Sequence, residues 1–163
     1  MRFFTLSDKG KVRPNNEDYA ESLALQYCGP LGNKIEVTAL ILADGMGGAA
    51  AGEYASMLAV QTVKENMSKN LFEKQPEHLL NSDKTLFLEE CFVKANTAIY
   101  TKACENPDME GMGTTIVVAL IYRDSLALAH IGDSRCYRYR RNELVALTRD
   151  HSLVQEFVEA GRI

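Results

Sequence analysis

No C-x-x-C pair and no zinc-ligand spacing occurs among the four cysteines, Cys28, Cys91, Cys104 and Cys136, which argues against a zinc ribbon or a dithiol redox motif. Cys91 falls on a predicted helix face rich in Phe and Ile, so a small buried apolar role is expected for it. Unpaired thiols of this kind point to a reducing, cytoplasmic setting. Positive charge is also short: 18 Lys and Arg stand against 22 Asp and Glu, a net charge of −4. A nucleic-acid partner is therefore not expected, because phosphate backbones reward clustered Lys and Arg. The one basic cluster, Arg138 to Arg141 with Tyr139 inside it, reads as a solvated hairpin. Long hydrophobic runs are absent as well. Phe3-Phe4-Thr5-Leu6 is too short for a signal-peptide core, and Val37–Ala43 and Ile116–Tyr122 are strand-length, far below a membrane span. Repeats, low-complexity tracts and inter-domain linkers are missing too. What remains is 163 residues, 46% apolar and 25% charged, the make-up of one globular domain with a core of its own.

Periodicity sketches the elements. Met1–Ser7 reads as a strand, followed by a polar loop from Asp8 to Asn16 broken by Gly10 and Pro14. Asp18–Gln26 alternates and Ile35–Ala43 is a nearly continuous apolar run, so both are expected as strands, the second buried on both faces. Gly29-Pro30-Leu31-Gly32-Asn33 between them is turn chemistry for a hairpin. Ala55, Leu58, Ala59, Thr62, Val63 and Met67 predict a helix over about Ala49–Ser68. After a polar link at Gln75–Asp83, Leu88, Cys91, Phe92, Ala95 and Ile99 predict a second helix, ending near Asn106-Pro107. The last third turns to hairpins: Gly113–Tyr122 with Ser125–Ile131 around Arg123-Asp124, and Cys136–Arg140 with Leu144–Leu147 around Arg141-Asn142. A closing helix is expected after Asp150-His151-Ser152. Two helices set between hairpin-rich segments suggest packed sheets with helices outside.

Three acidic positions bear on chemistry. Asp44 ends a buried strand and is followed by Gly45-Met46-Gly47-Gly48. A strand can fix a carboxylate there, and glycine lets a backbone carbonyl come close enough to join a coordination shell; a glycine-rich turn with Asp as helix N-cap explains the same residues equally well. Arg13-Pro14-Asn15-Asn16-Glu17-Asp18 places an arginine and two carboxylates at a loop-to-strand junction, where a solvated loop is the plainer explanation. Ile131-Gly132-Asp133-Ser134-Arg135 again ends an apolar strand on an Asp, which a polar Asx turn would also explain.

Together with Gly113-Thr114-Thr115 and Thr148-Arg149-Asp150-His151-Ser152, these segments occur in the order seen in metal-dependent type 2C serine/threonine protein phosphatases, and the glycine-rich form after Asp44 resembles the bacterial branch. The resemblance implies an α+β fold, an antiparallel β-sandwich flanked by helices in four αββα layers. It implies hydrolysis of phosphoserine and phosphothreonine on proteins by a water activated between two Mn²⁺ or Mg²⁺ ions, with a third, weaker metal site in bacterial members. Asp44 matches the carboxylate bridging the two cations, while Glu17 and the carbonyl of Gly45 would serve the second. Arg13 matches the arginine that holds the substrate phosphate, and Asp133 the acid near the third site. Asp18, Thr115 and His151 match supporting positions. His130 and His78 match nothing and read as a sheet residue and a surface residue. No cysteine sits in a phosphate-cradling loop of the tyrosine-phosphatase sort. The implied partner is a phosphorylated protein, opposing a Ser/Thr kinase, with neither nucleic acid nor membrane involved.

The chain departs from the family pattern in two respects. The family's remaining metal ligands lie in a second Asp-Gly and a late Asp-Asn, whereas of eight aspartates here only Asp44 precedes a glycine and none precedes an asparagine. One domain stopping before the mobile flap and the last ligands is therefore expected, and Met46 stands where some members carry a histidine proposed as general acid. Weak cation binding through Asp44 and little hydrolysis by these 163 residues follow. A catalytically inactive relative that binds a phosphoprotein is the alternative reading, and a purely structural domain the third. Sheets lacking later strands are also expected to self-associate, most simply as a two-fold homodimer.

Overall fold

The computed structural model describes residues 2–28, 34–47, 49–73 and 84–162. The expected turn at Gly29–Asn33, Gly48, the polar link at Gln75–Asp83 with His78, and Ile163 lie outside them.

A five-stranded antiparallel sheet organises the described residues. β1 (Asp18–Cys28) pairs with β2 (Lys34–Met46), β2 with β4 (Ile116–Tyr122) and β4 with β5 (Ser125–Ile131), while the short β3 (Gly113–Thr114) pairs with the end of β2. The register sets Asp18 opposite Asp44 and Leu40 opposite Ala119. Because side chains alternate along a strand, Val37, Ala39, Ile41 and Ala43 of β2 and Ile116, Val118 and Leu120 of β4 share one face. Against that face pack α1 (Ala49–Glu73) and α2 (Lys84–Glu105), through Ala59, Val60, Val63 and Met67 of the first and Leu88, Cys91, Phe92 and Ala95 of the second. Each fully buried Leu, Ile, Val or Met in this layer contributes about 1.5–3 kcal/mol. Burial pushes the Cys91 thiol up to about 11, in keeping with the inert apolar role expected for it.

A 3-10 turn (Pro107–Met109), capped by the Asn106 side chain, leads from α2 toward β3. β6 (Tyr137–Arg140) and β7 (Glu143–Ala146) form a separate hairpin whose two-residue loop, Arg141-Asn142, has both φ angles near +55 to +60°, the conformation that matches strand twist. Its exposed basic residues are the solvated hairpin that composition suggested. α3 (Leu153–Glu159) follows, with Ser152 Oγ accepting from Gln155 N at 3.2 Å.

Three expectations need correction. Residues 2–7 form no strand; they pair with no strand among the described residues, and a lone extended segment has no ladder to join. α1 runs five residues past Ser68, to Glu73, because Asn70 and Leu71 still meet the core. β2 is not buried along the whole of both faces: opposite the long helices Thr38 is buried but Leu40 is half-buried and Leu42 43% exposed.

Candidate active site

The site forms where β1 begins and β2 ends. Gly45 N donates to Glu17 O at 3.0 Å, and Ser56 Oγ of α1 donates to the same carbonyl at 2.6 Å. These two bonds tie the end of the polar loop to both a strand and a helix. Among the described glycines Gly45 carries the closest approach: a Cβ there would sit 2.0 Å from Gly52 O, so only glycine lets β2 lie directly on the first turn of α1. A Cβ on Gly52 would in turn come within 3.1 Å of the Glu17 carboxylate. Glu17 is 8% exposed, and its Oε2 accepts from Arg13 Nη1 at 2.7 Å.

Asp44 is fixed from the other side. Its N–H donates to Thr115 Oγ1 at 3.0 Å, and its carbonyl accepts from Thr115 N and Thr114 Oγ1, each at 2.9 Å. Thr115 Oγ1 also meets Ser134 Oγ at 2.7 Å, which links the loop carrying Asp133 to the strand carrying Asp44. Across the β1–β2 ladder the Asp18 carboxyl meets that of Asp44. Desolvation first, then the like charge and hydrogen bond of Asp44, push Asp18 above the usual carboxylate range, with Arg13 partly offsetting them.

A small cavity of about 190 Å³ opens between these groups, lined by Arg13, Asn16, Glu17, Asp18 and Asp44 together with Asp8 and Lys9. Two carboxylates that meet, one of them held toward protonation, repel each other by a few kcal/mol at an effective dielectric near 20, and a cation between them relieves that repulsion. The donors are all oxygen, which suits a hard ion such as Mg²⁺ or Mn²⁺ better than zinc. Among the described residues no group of three or more His, Cys, Asp or Glu is gathered to hold a metal, and Glu17 Oε2 is engaged by Arg13.

Arg13, Glu17, Asp18 and Asp44 thus line one cavity, with Gly45 as their backbone neighbour and Thr115 as the anchor of Asp44. Asp133 is exposed and does not line the cavity. His151 also lies apart, where its N–H donates to Gly132 O at 3.0 Å and its Nδ1 accepts from Gly132 N at 3.4 Å. His130, read as an ordinary sheet residue, stacks on His151 with ring centroids 4.5 Å apart. Sequence reasoning missed Lys9, Gly52, Ser56 and Ser134. Only the phase of α1 against β2 brings Gly52 and Ser56 to Glu17, and no local pattern signals that.

A family model described as Protein phosphatase 2C matches residues 28–160. The serine/threonine protein phosphatase PstP of Mycobacterium tuberculosis is 39% identical over 163 residues, all of this chain and 27% of that protein. The serine/threonine phosphatase stp of Listeria welshimeri is 35% identical over 158 residues, 96% of this chain and 57% of its own length. The solved catalytic domain of PstP in complex with two manganese ions matches with a TM-score of 0.73 and 39% identity, over 97% of this chain and 59% of that one. The chain thus spans well under two thirds of each of these relatives.

Proposed function

The chain belongs to the protein phosphatase 2C family, and we propose that it carries the phosphate-binding and part of the cation-binding machinery of a metal-dependent protein serine/threonine phosphatase. The observation that supports this reading is the meeting of Asp44, Asp18, Glu17 and Arg13 around one cavity at the β1–β2 junction. Asp44, with the Gly45 carbonyl and Glu17, would hold divalent cations, Mn²⁺ or Mg²⁺; when bound, such ions acidify a water and offset phosphoryl charge. Asp18 would keep Asp44 oriented. Arg13 is two-thirds exposed beside the cavity, free to leave Glu17 and take phosphate oxygens bidentately. Lys9 adds a second positive group on the same wall. Asp133 would serve a further, weaker cation site, and Thr115 and His151 would hold the two loops in place.

The substrate would be a protein phosphorylated on serine or threonine by an opposing kinase, in a reducing cytoplasmic setting that the four free cysteines support. No helix among the described residues is long and apolar enough to cross a membrane. A second reading, phosphoprotein binding without turnover, draws on the Arg13–Glu17 ion pair, which engages a proposed metal ligand.

Calorimetry with Mn²⁺ and a phosphothreonine peptide tests the proposal. Wild type is expected to bind Mn²⁺ with affinity on the order of millimolar, since few charged ligands contribute. Asp44→Asn should weaken that at least tenfold, and Arg13→Ala should abolish preference for the phosphorylated peptide over its unphosphorylated form. Equal metal affinity in wild type and Asp44→Asn would remove the cation assignment. Mn²⁺-dependent release of phosphate separates the two readings: turnover lost in Asp44→Asn supports the enzyme, and tight binding without turnover supports the binding module.

A further inference from the structure

Beside the candidate active site lies a groove of about 710 Å³, walled by the C-terminal half of α2, the 3-10 turn and β3. Its helical wall is Asn96, Ile99, Tyr100, Ala103 and Cys104. That i, i+3, i+4, i+7, i+8 stripe runs about 12 Å along α2, the length of three to four residues of extended chain. Met46, Met112 and Thr114 face it from the sheet side.

Two features set this groove near Asp44. Met46, on its wall, stands two residues after Asp44, so the groove begins roughly 7 Å from Asp44 along the strand. Thr114, on the groove wall, donates its hydroxyl to the Asp44 carbonyl. The floor is close-packed: a Cβ on Gly47 would come within 2.8 Å of Met112 Cα, and one on Gly113 within 2.7 Å of Met46 Cε. Among the groove's lining residues Glu110 alone is charged, so an acidic group would be repelled and an apolar one accepted. Large apolar side chains stand open there, Met46 at 63% and Tyr100 at 69% exposure.

We propose that this groove holds the polypeptide flanking the phosphorylated residue, with an apolar side chain two or three residues away seated between Ile99, Ala103 and Met46. The inference rests on the phosphate-binding reading of Arg13 and Asp44 and adds a selection rule to it. The phosphate supplies charge at one end, and the α2 groove reads an uncharged, apolar neighbour at the other. A groove open along one side whose wall begins two residues from Asp44 fits an extended peptide.

Fluorescence anisotropy on the 163-residue chain, with Mn²⁺ present, tests it using phosphothreonine peptides that carry leucine, serine or glutamate two or three residues to either side. The leucine peptides are expected to bind about five- to tenfold tighter than the serine ones, and the glutamate ones weakest. Ala103→Arg, which fills the groove, should erase the leucine–serine difference, and Tyr100→Ala, at a position too exposed to endanger the fold, should reduce it. Equal affinities for leucine and serine peptides, a difference that survives Ala103→Arg in a folded protein, or no binding of the leucine peptide up to 1 mM would overturn the proposal. Failure of the underlying phosphate reading looks different: Arg13→Ala would then leave every phosphopeptide affinity unchanged. Should Ala103→Arg instead convert a dimer to a monomer, the groove's occupant is a second copy of this chain and the peptide assignment is wrong.

Discussion

At the scale of single residues, the informative positions are those where the fold accepts a local cost. Asp18 is one. Its carboxyl is raised above the ordinary range by desolvation and by Asp44, so the folded state disfavours its charge. With the folded value above the unfolded one, the resulting handicap is absent below the unfolded value near 3.8 and grows as pH rises through the folded value. Asp18→Asn in metal-free buffer is therefore expected to raise the midpoint of thermal unfolding at pH 7, by only about 1–3 °C because the group is solvent-screened. The gain should vanish near pH 3, and a pH series by differential scanning calorimetry checks it; an equal shift at both pH values would mean that charge is not the cause. Gly45 is the second such residue. A Cβ added there would have no room against Gly52 O, and because that neighbour is backbone, Gly45→Ala should cost about 3 kcal/mol or more in urea unfolding. The sequence marks both positions, but for incomplete reasons. The Asp-Gly pair is legible as a ligand motif or a turn, whereas the need for glycine here includes a helix crossing that lies seven residues further on. The Arg13–Glu17 pair was legible only as two separate assignments, because loop residues four apart carry no fixed geometry until the loop is folded.

At the scale of elements, period and turn chemistry located both long helices, the two later hairpins and the closing helix. Each rests on local signals, such as the apolar stripe of Phe87–Ala95 or the Arg141-Asn142 loop. What stayed illegible depends on partners far away in sequence. Residues 2–7 read as a strand yet join no ladder, and the second face of β2 reads as wholly buried although both long helices settle on the other. The link between the Asp133 loop and α3 belongs to the same class. Arg135 meets Asp150 through Nε at 2.9 Å and Nη2 at 2.6 Å, beside the His151–Gly132 backbone bond, and Gly132 itself takes a φ of +101° against Thr115. The Arg135 guanidinium holds the Asp150 carboxyl below its usual range. Its contribution is therefore present above the unfolded value and is lost as pH falls through the lowered folded value. Arg135→Lys cannot reproduce the fork geometry, so amide exchange at His151 should quicken at least tenfold at neutral pH while exchange in α1 stays as in wild type. Unchanged His151 exchange would show that Ser152 capping and the His130–His151 stack suffice to hold the segment.

At the scale of the whole molecule, surface area decides what the 163 residues do on their own. A compact monomer of 18.1 kDa is expected to expose roughly 8,100 Å², yet this chain exposes 10761 Å², about a third more. Part of the extra area lies on the sheet. On the face opposite the long helices, Leu42 and Leu126 stand 43% and 44% exposed and Leu40 and Ile121 half-buried, beside Val117 and Ala119, which are already covered. Among the described residues only the segment around Phe4–Leu6 and the start of β6 line a cavity against it. β5 is the last strand of the sheet on that side, so its outer edge offers main-chain donors and acceptors. An excess of this size matches what one partner contributes to a large, permanent interface, and a two-fold pairing is the simplest way for identical faces to cover each other. The 163-residue chain is thus expected to sediment and scatter light as a dimer at micromolar concentration. Leu42→Lys, which places a charge in the middle of the face at a position with no role in the core, should return it to a monomer with little loss of helical circular dichroism. A monomer at millimolar concentration with a sharp cooperative thermal transition would mean instead that the N-terminal segment and the β6–β7 hairpin already cover enough of the sheet for the chain to stand alone.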